Sequence, residues 1–174
     1  GKCFIGNNSI IGSLSNKLLL NIEKGEIHIG HHSKIDASRF WVRFGGIISI
    51  GDYTNINRGS EIRCDESVSI GSFNQISYNV NIWDTNTHNI LSKEERRKTT
   101  LSHYPYYGYE DKKPKTKKII IGNDCWIGEK ASILKGTSIG DDVIVGYNCL
   151  LTNQTIPNTA TVVSKSFIDI RKRN

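Results

Sequence analysis

Residues 121–156, written in groups of six, read IGNDCW, IGEKAS, ILKGTS, IGDDVI, VGYNCL and LTNQTI. Each group opens with an aliphatic residue and has a small or slender residue at its fifth place. The aliphatic residues are Ile121, Ile127, Ile133, Ile139, Val145 and Leu151, and the slender ones are Cys125, Ala131, Thr137, Val143, Cys149 and Thr155. Neither the period of a helix nor the alternation of a simple strand gives this pattern. A six-residue repeat predicts a parallel β-helix, in which each group supplies one short strand and one corner.

The same repeat continues towards the amino terminus. Groups that open a coil start at Ile5, Ile29, Ile50, Ile70, Ile121 and Ile139, and these starts lie 24, 21, 20, 51 and 18 residues apart. Because three groups of six make 18 residues, the intervals predict three-sided coils with small insertions, about six in all. The segment KLLLNIEKGEIH, residues 17–28, leaves this register and is interpreted as a bulging or edge segment.

Length and composition fit one β-helical domain. A chain of 174 residues with 37% hydrophobic residues is expected to fold as a single domain, residues 1–174, with a thin core. No apolar run approaches the length that spans a bilayer, and the start GKCFIGNNSI does not have the apolar centre of a signal peptide. We therefore expect a cytoplasmic protein without integral membrane contact.

One interval contains a long insertion. The spacing of 51 residues exceeds one 18-residue coil by 33, and most of the extra residues form an extended loop at roughly 88–118. Ser92 and Glu95 have the spacing of a capping box, which predicts a short helix over residues 93–98. Aromatic residues follow, and they are expected either to stack on a sugar ring or to pack on a neighbouring subunit: Tyr104, Tyr106, Tyr107 and Tyr109. A loop of this length in a compact fold is functional or disordered.

Cysteines and charge limit the possible partners. Cys125 and Cys149 occupy the slender inward place of their groups and are expected to be buried thiols, and no CxxC pair indicates a disulfide framework or a zinc site. The net charge of +6 is concentrated at residues 112–118 and in a basic tail at 164–174. Such clusters are either solvated or attract an anionic partner, such as nucleic acid, anionic lipid, an acidic glycan or the phosphates of a small molecule. No nucleic-acid-binding motif accompanies them.

The segment IIIGNDCWIGEKASILKGTSIGDDVIVGYNCLL, residues 119–151, and the loop that starts at His88 after IWDTNT together carry a family resemblance. They resemble the left-handed β-helix acyltransferases, also called hexapeptide-repeat transferases, and in particular their sugar O-acetyltransferase and xenobiotic acetyltransferase branches. The resemblance covers about residues 29–157. It implies left-handed coils, a homotrimer, and acetyl-CoA as acyl donor in a groove between subunits, with no metal. The chain departs from the family at its end, where only Pro157 fits a GNPAK-like segment.

The resemblance implies that His88 is the catalytic residue. A sugar hydroxyl needs a base when it attacks a thioester, and a histidine has a suitable pKa near ~6.5. Asp84 or Asn86 could accept a hydrogen bond from the other ring nitrogen and fix the tautomer. A backbone N–H would stabilise the oxyanion, and transfer would be direct, without an acyl-enzyme. Without the resemblance, a solvated loop histidine would be the simpler interpretation.

Four further residues are candidates for coenzyme binding. Trp126 is expected to face outward and line the pantetheine path, although packing on a subunit neighbour explains it equally well. Ala131 and Gly146 could let the pantetheine approach closely, but core or corner geometry also accounts for both. Lys135 could approach the coenzyme phosphates, and solvation is the alternative for it.

These observations predict an acetyl-CoA-dependent O-acetyltransferase that acts on a sugar hydroxyl of a capsular, O-antigen or sialic-acid-type glycan. The alternatives are an amino-sugar N-acetyltransferase and a non-catalytic β-helix scaffold. A γ-type carbonic anhydrase shares the fold but binds zinc through three histidines. The histidines here contain no H-x4-H pair, which argues against that enzyme: His28, His31, His32, His88 and His103.

Overall fold

The computed structural model describes residues 1–12, 17–106 and 110–165. Twenty short β-strands and one α-helix make up this part of the chain. The strands form three parallel sheets, and every third strand along the chain belongs to the same sheet. Three successive strands therefore make one coil with three sides.

The strands, numbered in chain order, are distributed evenly over the three sheets. The first sheet contains β1 (Lys2–Ile5), β4 (Gly25–Ile29), β7 (Gly46–Ile50), β10 (Ser67–Ile70), β13 (Ile119–Ile121), β16 (Ser138–Ile139) and β19 (Thr155–Ile156). The second contains β2 (Ile10–Ile11), β5 (Lys34–Ile35), β8 (Asn55–Ile56), β11 (Gln75–Ile76), β14 (Trp126–Ile127), β17 (Ile144–Val145) and β20 (Thr161–Val162). The third contains β3 (Leu19–Ile22), β6 (Arg39–Val42), β9 (Glu61–Cys64), β12 (Asn81–Trp83), β15 (Ser132–Leu134) and β18 (Leu150–Thr152).

The predicted coil starts are confirmed by the strand register. Ile70 pairs directly with Ile121, so the long insertion interrupts the chain without shifting the stack. Ile139 pairs with Ile156, which opens a further coil and brings the solenoid to seven coils, one more than predicted. This parallel solenoid is consistent with the expected left-handed β-helix.

The segment at residues 17–28 contains an edge strand, β3, followed by the start of β4, which lies between β1 and β7 in the first sheet. Its strand β3 ends the third sheet and pairs with β6, with Leu20 opposite Phe40 and Ile22 opposite Val42. The six-residue register is lost there because β3 and β4 are four and five residues long, against two or three for every strand from β11 onward.

The core is one column of aliphatic side chains. In the regular carboxy-terminal coils, the inward positions are buried as the repeat predicts, including the slender Cys125, Ala131, Thr137, Val143 and Cys149. Thr155 is exposed because it belongs to the last coil. Adjacent corners approach closely, and a Cβ atom added to Gly122 would lie 2.7 Å from the carbonyl carbon of Gly140.

The insertion contains the helix α1 (Lys93–His103). The predicted capping box forms between Ser92 and Glu95, and the helix continues five residues beyond the predicted end at residue 98. Among its described side chains none is buried, so α1 lies on the outside of the solenoid. Within the described ranges, no helix is both long enough and apolar enough to cross a membrane.

Candidate functional site

The two ends of the insertion are joined at the corner that follows β12. Thr85 and Thr116 form an isolated antiparallel bridge. The N–H of Asn86 donates to the carbonyl of Lys115 at 3.0 Å, and the N–H of Lys117 donates to that of Asp84 at 2.9 Å. The chain therefore leaves and re-enters the solenoid at one place, and His88 lies just beyond this junction.

His88 pairs with a carboxylate from the returning part of the insertion. Its Nδ1 atom lies 2.9 Å from Oε1 of Glu110. The side chain of Glu110 is 12% exposed, whereas that of His88 is 52% exposed. A carboxylate only accepts hydrogen bonds, so we assign the proton of a neutral imidazole to Nδ1. Nε2 is then the basic nitrogen, and it has no hydrogen-bond partner within the described parts of the chain.

Asn89 holds the carboxylate of Glu110 in place. Its side-chain amide donates to Oε2 at 2.8 Å and to the carbonyl of Lys112 at 2.9 Å, and its backbone N–H donates to Oε1 at 3.3 Å. Glu110 is therefore bound by two successive residues, His88 and Asn89. The arrangement fixes the tautomer of an exposed imidazole, which is what a general base requires.

Asp84 does not perform the role that the sequence predicted for it. Its carboxylate is fully buried and accepts the backbone N–H groups of Asp65 at 2.8 Å, Glu66 at 2.8 Å and Ser67 at 2.7 Å. Burial raises the pKa of Asp84, although these three donors act in the opposite direction. The residue caps the corner of the preceding coil, so it cannot also orient the ring of His88.

Asn86 contacts His88 through its backbone only. The N–H of His88 donates to the carbonyl of Asn86 at 2.7 Å, and the imidazole is oriented by Glu110 instead. Sequence reasoning missed Glu110 because it lies 22 residues from His88 in an irregular stretch with no repeat. The only available signal was the pair of carboxylates that ends the aromatic run, Glu110 and Asp111.

The candidate coenzyme residues fall into two groups. Trp126 is 56% exposed on β14, and it pairs in register with Ile144, which is 41% exposed on β17. Gly146 follows on that later coil and is partly exposed. Lys135 follows β15 of the third sheet, on a different side of the solenoid. Ala131 is fully buried, so the core explanation accounts for it.

Aromatic residues of the insertion border a cavity of about 440 Å³. Ser102, His103, Tyr104 and Tyr106 line it, and the two tyrosines are 71% and 77% exposed. Tyr107, also predicted to contact a substrate, and Tyr109 lie outside the described residues. In the described ranges, no three side chains of His, Cys, Asp or Glu are grouped so that they could hold a metal ion.

Comparison with known families identifies the repeat. Residues 118–153 match the family described as bacterial transferase hexapeptide, six repeats. WbbJ of Escherichia coli (strain K12), named as an O-acetyl transferase of lipopolysaccharide biosynthesis, is 28% identical over 151 residues, which are 86% of this chain and 74% of WbbJ.

Two solved structures share the solenoid. The hexapeptide-repeat acetyltransferase VCA0836 of Vibrio cholerae is 25% identical, with a TM-score of 0.57 over 77% of this chain and 66% of its own. A galactoside acetyltransferase in complex with coenzyme A is 21% identical, with a TM-score of 0.57 over 91% of this chain and 60% of its own. The chain thus spans about two thirds or less of these two solved chains.

Proposed function

We propose that the chain, whose residues 118–153 match the bacterial transferase hexapeptide family, is an acetyl-CoA-dependent O-acetyltransferase acting on a sugar hydroxyl. The observation that carries the proposal is the pair formed by His88 and Glu110, with 2.9 Å between Nδ1 and Oε1. It provides an oriented base at the point where an insertion leaves the solenoid.

In the proposed reaction the acceptor hydroxyl lies beside Nε2 of His88. Nε2 takes the hydroxyl proton as the oxygen attacks the thioester carbonyl carbon. Glu110 stabilises the imidazolium that forms, because its negatively charged carboxylate accepts a hydrogen bond from Nδ1–H. The tetrahedral intermediate then expels the sulfur of coenzyme A, which receives the proton from Nε2. The products are the acetyl ester and free coenzyme A, and His88 is again neutral.

For the donor, we propose that acetyl-CoA lies against the second sheet, in a groove between two subunits of a homotrimer. The exposed Trp126 and Ile144 offer adjacent apolar surface on two coils, and Gly146 leaves space beside them. The lysines of residues 112–118 carry charge that suits the coenzyme phosphates. The reaction would take place in the cytoplasm, where acetyl-CoA is available.

For the acceptor, we propose a glycan of the cell surface. The name of WbbJ, which refers to lipopolysaccharide biosynthesis, supports this class. Tyr104 and Tyr106 border the cavity in the same insertion as His88, and exposed tyrosines are suited to stacking on sugar rings.

The test follows thiol release from acetyl-CoA with a panel of sugar acceptors, for the parent and for His88→Ala. We expect the variant to bind acetyl-CoA normally and to lose about 10²–10⁴-fold in kcat, the usual contribution of a general base. Mass spectrometry of the product distinguishes an ester from an amide.

His28→Ala is the matched control. His28 also forms a pair with a glutamate, with Nε2 2.9 Å from Oε2 of Glu26, but it lies on β4, outside the insertion. Its replacement should leave turnover unchanged. Near-parental turnover by folded His88→Ala would refute the assigned base, and failure to bind acetyl-CoA at all would favour a scaffold.

A further inference from the structure

A buried ion pair lies behind His88. The guanidinium of Arg43 binds the carboxylate of Asp65 through two contacts, Nε to Oδ1 at 3.0 Å and Nη2 to Oδ2 at 2.8 Å. The exposed fractions of the two side chains are 5% and 1%. Arg43 follows β6 and Asp65 follows β9, so the pair joins the corners of two successive coils. Burial of two charges is expensive unless all their hydrogen-bonding groups find partners.

Further hydrogen bonds to this pair come from the segment that leads to His88. Nη2 of Arg43 donates to the carbonyl of Thr87 at 3.0 Å. The hydroxyl of Thr85 donates to Oδ2 of Asp65 at 2.6 Å and accepts the N–H of Thr87 at 3.0 Å. Both backbone polar groups of Thr87 are thus bound by this network.

Thr87 needs such support. Its φ is 67°, a left-handed conformation that a β-branched residue rarely adopts. A residue in this region keeps its conformation only when its surroundings hold it there. The side chain is held too, since Nη1 of Arg63 lies 3.3 Å from the Thr87 hydroxyl. Because Thr87 immediately precedes His88, its conformation decides where the chain places the imidazole.

We propose that Arg43, Asp65 and Thr85 are positioning residues for the reaction, which act on His88 through the backbone of Thr87. The inference rests on the proposed function, in which His88 is the general base. None of the three is expected to touch a substrate. A displacement of a reacting group by about 1 Å can lower a rate by about 10²-fold, so the network matters for turnover as well as for folding.

Another ion pair on the same sheet supplies the comparison. Arg39 on β6 binds Oε1 of Glu61 on β9, with Nη2 at 2.6 Å and Nε at 3.0 Å. It joins the same two strands and makes no direct hydrogen bond to residues 84–88 in the described structure. Oε1 of Glu61 also accepts Nε of Arg63, so the control changes Arg39 and keeps Glu61. Arg39→Lys weakens a contact between coils but leaves Glu61 to hold Arg63, and Arg63 to hold the Thr87 hydroxyl.

The experiment compares Thr85→Val with Thr85→Ser. Valine has the shape of threonine but cannot link Asp65 to the N–H of Thr87, whereas serine keeps the hydroxyl. We expect kcat to fall about 10- to 100-fold in the valine variant, with the KM for acetyl-CoA within about twofold of the parent. The serine variant should recover most of the turnover. Arg43→Lys, which keeps the charge but not the planar fork, should behave like the valine variant.

A readout independent of activity is the nitrogen NMR spectrum of His88. In the parent we expect the single neutral tautomer with the proton on Nδ1, and in Thr85→Val the average of both tautomers. Arg39→Lys controls for loss of stability and should keep the parental spectrum and turnover. The inference is overturned if folded Thr85→Val or Arg43→Lys keeps the parental kcat and spectrum, or if Arg39→Lys loses as much kcat. If either test variant does not fold, the other decides.

His88→Ala separates this inference from the proposed function. Full activity of His88→Ala would refute the assignment of His88 as the general base, whatever the network variants show. An inactive His88→Ala together with fully active network variants would leave the function in place and refute the positioning role.

Discussion

Nδ1 of His88 and Oε1 of Glu110 lie 2.9 Å apart, although the two residues are separated by 22 positions in the insertion. Only the carboxylate of the pair is well buried, with 12% exposure against 52% for the imidazole. The insertion therefore supports the ring from one side and leaves Nε2 accessible to a substrate. The pair also closes the insertion on itself, since it joins the start of the segment to its return.

Replacement of Glu110 should lower turnover more than binding. In Glu110→Gln the amide oxygen can still accept a hydrogen bond from Nδ1–H, but no negative charge stabilises the imidazolium. We expect kcat to fall about 10- to 100-fold, as for other residues that orient a functional histidine, and the KM for acetyl-CoA to stay within about twofold. Steady-state thiol release measures both quantities.

Asp111→Asn is the control for Glu110→Gln. Asp111 is the adjacent carboxylate, and its Oδ2 lies 3.4 Å from Nε2 of His103. The substitution changes the charge of the insertion by the same amount without touching His88. Equal losses of kcat in the two variants would mean that Glu110→Gln acts through the net charge of the insertion and not through the orientation of His88.

Replacement of Trp126 should weaken coenzyme binding and leave the rate of the chemical step unchanged. If pantetheine packs on its exposed ring, Trp126→Ala removes apolar contact area and should raise the KM for acetyl-CoA about tenfold with little change in kcat. Phe4→Ala is the control, because Phe4 is similarly exposed, at 48%, and stacks on His28 in the first sheet, on a different side of the solenoid from β14. An unchanged KM in Trp126→Ala would leave packing on a neighbouring subunit as its role.

The fold was predictable because the hexad is a local rule that most of the coils repeat. Ile70 and Ile121 each open a coil, so the register across the insertion followed from the sequence. The residues around His88 obey no such rule. Asp84 was predicted to orient the ring of His88 because the two residues are near in sequence. Its carboxylate instead accepts hydrogen bonds from three N–H groups of the preceding coil. Glu110 reaches the ring through the conformation of a long irregular segment, which no spacing encodes.

The thiols should differ sharply in reactivity at pH 8. Burial beside the carboxylate of Asp84 raises the pKa of Cys64, and burial raises that of Cys125. A raised pKa leaves less thiolate at a given pH, and thiolate is the form that reacts. Cys149 is buried, and Cys3 is exposed on β1. A disulfide reagent should therefore modify Cys3 alone in the native protein.

Unfolding in guanidinium is the control for this experiment, because it should release all four thiols. Partial burial also raises the pKa of Cys3, so its reaction should be slower than that of a free thiol at the same pH. Rapid native modification of a second cysteine, identified by peptide mass spectrometry, would contradict the burial of the core thiols.

Thr137→Val should stabilise the protein. Thr137 occupies the slender inward place of its hexad with 1% exposure, and its hydroxyl has no hydrogen-bond partner in the described structure. The isosteric valine, which the next hexad has at Val143, removes this unpaired group. We expect about 1 kcal/mol more stability and a Tm about 2–4 °C higher by calorimetry. Thr155→Val, at the same place in an exposed hexad, should change stability by less than about 0.5 kcal/mol. A lower Tm for Thr137→Val would show that the hydroxyl has a partner in solution.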